Sequence, residues 1–328
     1  MRKFIFSFLI PVTLFANPFK IDFPVKDSLS QEDLEEVQSK LQKIDIRPLL
    51  DDFYPKDFPQ KHLWQWGSTL ATKEDFYNRI SKSLHQTLIN VSEGKIPSEH
   101  LIKINEGGDR CIVCYVSFNG IYQSLVQALA KNLEKVGFNG YLFYKIGGFP
   151  NPTGKEIQYC GVPYSFKIFT LLEAQKKGFQ KVLWIDASYL PLKDPSPLFE
   201  WIEKHGCFLK THAPFSKFIL PKTRAFIKNI SGVDVLKTQY VSAQIIGFDL
   251  NSPLAQEFVS EYYKLVEIGI PFCSCFPEEY VFSSIIGKEP RKWVSQPFKE
   301  LSFAEIKLGK KDSKWAQEKG YFFLQTLH

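Results

Sequence analysis

Apolar positions follow two regimes along this chain. Before about residue 105 they recur at three- and four-residue spacing. Leu34, Val37 and Leu41 make one stripe, and Phe76, Ile80, Leu84 and Leu88 make another. That period belongs to amphipathic helices. The first predicted helix has a start signal: Ser30 stands as cap, and Glu32 and Asp33 fall in the first turn, where carboxylates complement the helix dipole. The second is predicted over Lys73–Val91. Between them, Phe53–Gly67 is rich in proline and aromatics and is expected to wrap a neighbouring element. This arm carries no motif with assignable chemistry.

From about residue 106 the pattern changes to alternating strand and helix. Cys111–Val116 is a short continuous apolar run, as in a strand covered on both faces. Tyr122–Val136 places Leu125, Ala128, Leu129 and Leu133 at helical spacing and stops at Gly137. Tyr141–Ile146 is a second predicted strand, closed by Gly147-Gly148. Ser165–Lys177 is a second helix ending at Gly178, and Lys181–Ile185 is a third strand. Strands alternating with helices of this length need crossover connections, which predicts an α/β, Rossmann-like domain with a mostly parallel central sheet. Such sheets bind ligands outside the carboxyl ends of their strands. Ser117-Phe118-Asn119 and Asp186-Ala187-Ser188 fall at those ends. The predicted organisation is a helical accessory region over 17–105 and the α/β domain over 106–328.

The N-terminus and the composition add context. Met1-Arg2-Lys3 is basic, Phe4–Phe15 is nearly all apolar, and Ala16 precedes the polar change at Asn17. This is the pattern of a secretory signal peptide over residues 1–16, so the chain is expected to be exported. Leu14 stands where cleavage prefers a smaller residue, which keeps an uncleaved membrane anchor as the alternative. A hydrophobic share of 44% in 328 residues is enough for a sizeable core, and most of the aromatic 15% must lie in it. The net charge of +6 is spread without a basic block. It suits an anionic ligand such as a nucleotide and excludes a nucleic-acid groove.

Six cysteines in an exported chain raise the question of disulfides. Cys111 and Cys114 lie three apart in a predicted strand and so point to opposite faces, unable to bridge or chelate together. They are expected to be buried structural thiols. Cys273 or Cys275, in a segment expected to be more exposed, is open to pairing with Cys160 or Cys207. Asn90-Val91-Ser92 and Asn229-Ile230-Ser231 fit the glycosylation sequon.

The strongest chemical signal is Lys181-Val182-Leu183-Trp184-Ile185-Asp186-Ala187-Ser188. An apolar strand delivers an acid as it ends, followed at once by a short polar turn. This resembles the Asp-x-Asp element of GT-A fold glycosyltransferases, with Ser188 in place of the second acid. The resemblance spans roughly residues 109–290. It implies a nucleotide-sugar donor and Asp186 as ligand of a divalent cation, Mg²⁺ or Mn²⁺. A leaving nucleoside diphosphate gathers negative charge, and a hard cation held by carboxylates neutralises it. One carboxylate and one hydroxyl make a weaker cation site than two carboxylates.

Three further segments continue the resemblance. In Pro163-Tyr164-Ser165-Phe166-Lys167, Lys167 matches a basic residue that reaches the donor. Val241-Ser242-Ala243-Gln244-Ile245-Ile246-Gly247-Phe248-Asp249 is similar to a segment lining the sugar pocket. There Gln244 would bond sugar hydroxyls and Ala243 would allow close approach. Phe276-Pro277-Glu278-Glu279-Tyr280 resembles the start of a helix that opens with an acid. Glu279 matches that acid in the simplest register and Glu278 in the next, with a part in binding the acceptor hydroxyl or acting as general base. Ser117 and Asn119 would lie near the nucleotide. His212 comes too early for a metal-binding histidine, and His328 is terminal.

Other chemistries fail on spacing. Five residues rather than four separate Gly148 from Gly154, and Glu156 replaces the Ser or Thr that a phosphate loop needs. No Gly-x-Gly-x-x-Gly follows the first strand, and the serine-hydrolase elbow and His-Glu-x-x-His are absent. The expected activity is sugar transfer from a nucleoside-diphosphate donor to a glycan, protein or lipid. A non-catalytic binding protein of the same fold and a structural envelope protein are the rival readings.

Overall fold

The computed structural model describes residues 16–48, 64–66, 69–71, 73–213, 219–293, 298 and 313–326. The leader before Ala16, most of the Phe53–Gly67 stretch and His328 lie outside them. Helix α1 (Gln31–Gln42) starts on a capping box in which Ser30 accepts from the Asp33 N–H and the Asp33 carboxylate accepts from the Ser30 N–H. Strands β1 (Trp64–Trp66) and β2 (Thr69–Ala71) form a small antiparallel pair, and helix α2 (Lys73–Asn90) follows. Leu34, Val37, Leu41, Ile80 and Leu84 are buried as their spacing predicts.

The central sheet is built from β3 (Ser98–Ile104), β4 (Arg110–Val116), β5 (Gly140–Ile146), β6 (Lys181–Ile185), β8 (Cys207–His212) and β9 (Tyr240–Asp249), in the order β3-β5-β4-β6-β9-β8. Between β6 and β8 lies the short β7 (Tyr189–Pro191). β4 pairs in parallel with both β5 and β6, with Val113 opposite Phe143 and Trp184. β3 and β9 run against their neighbours, so four of the six strands point the same way. The sheet begins at Ser98, ahead of residue 106. The earlier boundary was hidden because Ser98-Glu99-His100-Leu101-Ile102-Lys103-Ile104 is an edge strand with mixed exposure rather than an apolar run.

Two cores cover the two faces. On one face Cys111, Val113 and Tyr115 pack under α4 (Phe166–Lys176), α7 (Pro253–Ile268) and α8 (Pro277–Ile286). On the other, Ile112, Cys114 and Val116 pack under α3 (Gly120–Lys135) and α5 (Ser196–His205). Cys111 and Cys114 thus sit on opposite faces, as their spacing requires. The buried stripe of α3 is Val126, Leu129, Ala130 and Leu133, one residue round from the predicted one; Leu125 and Ala128 are half-buried.

The stretch before α1 joins the first core. Phe19, Ile21 and Phe23 alternate inward between exposed neighbours, and each buried phenylalanine contributes about 2–3 kcal/mol of transfer free energy. The Ile21 N–H donates to Gln158 O (2.8 Å), and the Asn17 amide donates to Val266 O (2.8 Å).

All six cysteines are free and buried, including Cys273 and Cys275. The expected bridge to Cys160 or Cys207 does not form; the 273–275 segment is packed inside rather than exposed. After α6 (Pro221–Ser231) and the two helices over β9, α9 (Ser313–Glu318) leads into β10 (Phe323–Gln325), which pairs antiparallel with β7. Among the described residues no helix is long and apolar enough to cross a membrane.

Candidate active site

Asp186 is the first residue beyond β6. It shares the strand face of Trp184, two positions back, so the Trp184 indole N–H reaches the Asp186 carboxylate (Oδ1, 2.7 Å). The Asp186 amide donates to Gln244 O (3.1 Å) on the antiparallel neighbour. Helix α4 packs on the same face and begins at this end of the sheet, which puts Lys167, its second residue, beside Asp186.

The Lys167 ammonium donates to Ala243 O (3.1 Å) and forms ion pairs with Asp186 Oδ1 (3.1 Å) and Glu278 Oε1 (3.0 Å). Its side chain is 5% exposed, against 30% for Asp186 and 7% for Glu278. The rings of Tyr164 and Trp184 stand 5.7 Å from Nζ. Both burial and the positive helix terminus oppose an ammonium here. Burial pulls the Lys167 pKa down, but Asp186, Glu278 and Glu279 outweigh it and hold it above the ordinary lysine range.

Glu278 and Glu279 occupy the first turn of α8 behind Pro277, where the dipole favours acids. Burial raises the Glu278 pKa, against the pull of Lys167. Burial pushes Glu279 up to about 7, against Lys167 and the Ala243 N–H bond. The Tyr240 hydroxyl donates to Glu279 Oε2, and the Ala243 N–H donates to Oε1 (3.3 Å). Lys210, also buried, is pulled down to about 7 by desolvation, against the charge of Glu279.

A bulge in β9 makes this convergence possible. Across the β8–β9 pairing Leu209 faces Ile246 while Lys210 faces Ser242, so Ala243, Gln244 and Ile245 have no partner on β8. The bulged backbone aims Ala243 O at Lys167, Ala243 N–H at Glu279 and Gln244 O at Asp186, a re-aiming that bulges commonly provide. Ala243 itself is buried and reaches the site through its backbone alone. Gln244 is half-buried. Its Oε1 accepts from Tyr189 (2.9 Å) and Ser242 (3.3 Å), and its amide nitrogen makes no hydrogen bond among the described residues.

Ser117 and Asn119 leave the adjacent strand β4. Asn119 Oδ1 accepts from the Ile121 N–H (3.1 Å) and caps α3, while Ser117 Oγ accepts from the Asn119 N–H (3.3 Å). The structure brings Lys167, Asp186, Ala243, Gln244, Glu278 and Glu279 into one cluster and leaves Ser117 and Asn119 at the neighbouring strand end. Ser188 lies in the turn after Asp186. Its carbonyl accepts from both the N–H (2.7 Å) and the hydroxyl (2.8 Å) of Thr326, next to the β7–β10 pairing. His212 is at the exposed end of β8.

The sequence reading missed Trp184, Tyr240, Lys210 and Tyr164. Tyr164 has φ +61°, a left-handed conformation that costs a bulky residue about 1–3 kcal/mol, and it stands just before the helix that carries Lys167. Trp184 sits in a strand that read as core, and Lys210 and Tyr240 sit in β8 and β9, which the sequence did not disclose as strands.

The donor set does not fit the divalent cation that the resemblance implies. The turn offers one carboxylate, and its Oδ1 is already taken by the Lys167 ammonium and the Trp184 indole. A dication about 2.1 Å from that oxygen would stand within about 5 Å of the ammonium, a repulsion of about 6 kcal/mol at an effective dielectric of about 20. Among the described residues no group of three or more His, Cys, Asp or Glu is placed to hold a metal. A separate cavity of about 470 Å³, lined in part by Lys135, Leu190, Lys193 and Gln317, contains none of the clustered charges.

No family model and no curated protein matches this chain. Solved structures do, and three glycosyltransferases are among them. Mouse xyloside xylosyltransferase 1 is 12% identical with TM-score 0.39, covering 58% of this chain and 85% of its own. The bifunctional glycosyltransferase WbbM is 12% identical with TM-score 0.39, covering 69% and 47%. The galactosyltransferase LgtC, solved with donor and acceptor sugar analogues, is 16% identical with TM-score 0.28, covering 52% and 71%. At these values the likeness assigns no donor, acceptor or residue role here.

Proposed function

We propose that this chain is a glycosyltransferase that uses a nucleoside-diphosphate sugar. The observation that supports this best is the buried Lys167 ammonium, held between Asp186 and Glu278 where the parallel strands end, with Asp186 as its most exposed partner. An ammonium anchored there offers fixed positive charge to a diphosphate that gains negative charge as it leaves. In the proposed reaction the bond from the anomeric carbon to the diphosphate oxygen breaks, and its electron pair goes to the diphosphate. An acceptor hydroxyl oxygen bonds to that carbon and loses its proton.

Glu279, poised near neutrality, is the proposed base. Both its oxygens are held by chain groups, so the proton reaches it through the Tyr240 hydroxyl. The free amide N–H groups of Gln244 would bond sugar hydroxyls, and Ser117 and Asn119 would border the nucleotide. The acceptor is a glycan, a protein or a lipid. The leader proposes export, by cleavage or as an uncleaved anchor, into a compartment where activated sugars are present.

Thermal-shift titration with UDP-, GDP- and ADP-sugars, followed by assay of donor hydrolysis, tests this. At least one donor should raise Tm and be hydrolysed, and Glu279→Gln should abolish the hydrolysis while keeping the shift. No shift and no turnover with any donor would sink the reading. A shift without turnover would support a binding protein of the same fold, a reading favoured by Ser188 standing where a second acid is expected.

A further inference from the structure

We propose that the Lys167 ammonium takes the place of a divalent cation at this site, so that the donor diphosphate is bound and released without metal. The inference rests on the nucleotide-sugar reading above and departs from the cation that the sequence resemblance implies. Its basis is occupancy rather than composition. Asp186 Oδ1 accepts from Trp184 Nε1 at 2.7 Å and pairs with Lys167 Nζ at 3.1 Å, so a cation would reach this carboxylate only through Oδ2, beside an ammonium already in place. Glu278, the nearest second carboxylate, is committed to the same ammonium at 3.0 Å. Ser188 is anchored through its carbonyl to Thr326 and offers a cation one neutral hydroxyl in place of a second carboxylate.

The same geometry says how a diphosphate would be received. Of the three partners around Lys167, Ala243 O belongs to the sheet and Glu278 is buried, while Asp186 is 30% exposed. Asp186 is therefore the exchangeable partner. A phosphate oxygen takes its place on the ammonium, Glu278 and Ala243 O keep Nζ fixed, and the Tyr164 and Trp184 rings wall the site. The charges facing Lys167 are Asp186 from β6 and Glu278 and Glu279 from α8, with Lys210 of β8 behind Glu279. When Asp186 is displaced, the ammonium it had paired with faces the incoming phosphate oxygen.

The test is calorimetric titration of UDP, GDP and ADP into the full chain, in EDTA and again in millimolar MnCl₂. The nucleotide that binds should do so with the same Kd within about twofold in both, whereas tightening of about tenfold or more by Mn²⁺ overturns the inference and leaves the glycosyltransferase reading standing. No binding under either condition overturns both. Without nucleotide, electron paramagnetic resonance of added Mn²⁺ should show no stoichiometric site. A tight site lost in Asp186→Asn overturns the inference directly, with no need for a Lys167 variant. Lys167→Met should weaken binding in EDTA by about tenfold or more while Lys167→Arg keeps part of it, and unchanged affinity in a folded Lys167→Met protein also overturns it. Should Lys167→Met fail to fold, Lys167→Met combined with Glu278→Gln removes the stranded buried acid and reads the same affinity.

Discussion

A buried lysine at a helix start opposes both solvation and the helix dipole, and Lys167 is tolerated because three partners enclose it. Deleting one member of such a buried set costs about 3–5 kcal/mol, since the remaining charges stay behind unpaired. Glu279 and Lys210 carry the pH dependence of this cluster. Glu279 titrates at about 7 when folded against 4.5 for the ordinary group, so between those values the unfolded chain loses its proton first and stability falls as pH rises. Lys210 works in the opposite sense at higher pH. Its folded value of about 7 lies below the ordinary 10.5, and stability recovers as pH rises across that interval. Urea denaturation should show wild type losing up to about 3 kcal/mol from pH 4.5 to 7 on this account, and Glu279→Gln should flatten that fall. An equally steep fall in the variant would show that Glu279 is not the group responsible. Asp186, Lys167 and the glutamate pair stood out in the sequence because polar residues at a strand end and at helix starts are conspicuous, whereas Gln244, inside β9, was singled out only through the resemblance. Trp184 and Tyr240 did not stand out. An aromatic in an apolar strand looks like core and is core here, and only its partner in space reveals the polar edge.

At the scale of elements, strands β4, β5 and β6 and helices α1, α2 and α4 were readable because their apolar periods are strong. Strands β8 and β9 were not, because the bulge breaks alternation where Lys210 and Gln244 fall, and periodicity assumes unbroken pairing. The turn after β5 is another element whose need shows only in three dimensions. Gly147 has φ +64°, its N–H donates to Val116 O (2.8 Å), and a Cβ there would collide with the Phe118 ring between Ser117 and Asn119. Gly147→Ala should therefore destabilise by more than about 2 kcal/mol, combining left-handed strain with displacement of Phe118. Gly232→Ala is the control. It has φ +75° after α6 with nothing within 4 Å, and should cost only about 1 kcal/mol in the same urea titration. Equal losses would mean that the Phe118 contact adds nothing.

Over the whole molecule, the first core reaches from Phe19 to Trp293 and joins the arm before α1 to the sheet. The alternation of Phe19, Ile21 and Phe23 went unread within a region predicted as helical, and the surface it packs on, around Gln158 and Val266, is assembled only by the fold. The cysteines belong to this scale as well, since all six are enclosed by cores drawn from distant segments. Burial raises the Cys207 thiol to about 12 and pushes Cys111, Cys114, Cys160 and Cys273 higher still, so thiolate is scarce and access is closed. Ellman's reagent should detect no thiol in the native protein and six after denaturation. A thiol that reacts quickly under native conditions would contradict the packing around it.

The pairing of β10 with β7 bears on the sequence of folding events. Thr326 fastens the Ser188 carbonyl from 138 positions away, so a loop holding α5 through α9 must be gathered before that knot can be tied. A non-local pairing meets its loop-closure entropy before its contacts reward it. A chain stopped just short of completion would own a finished sheet whose acid-bearing lip was still unfastened.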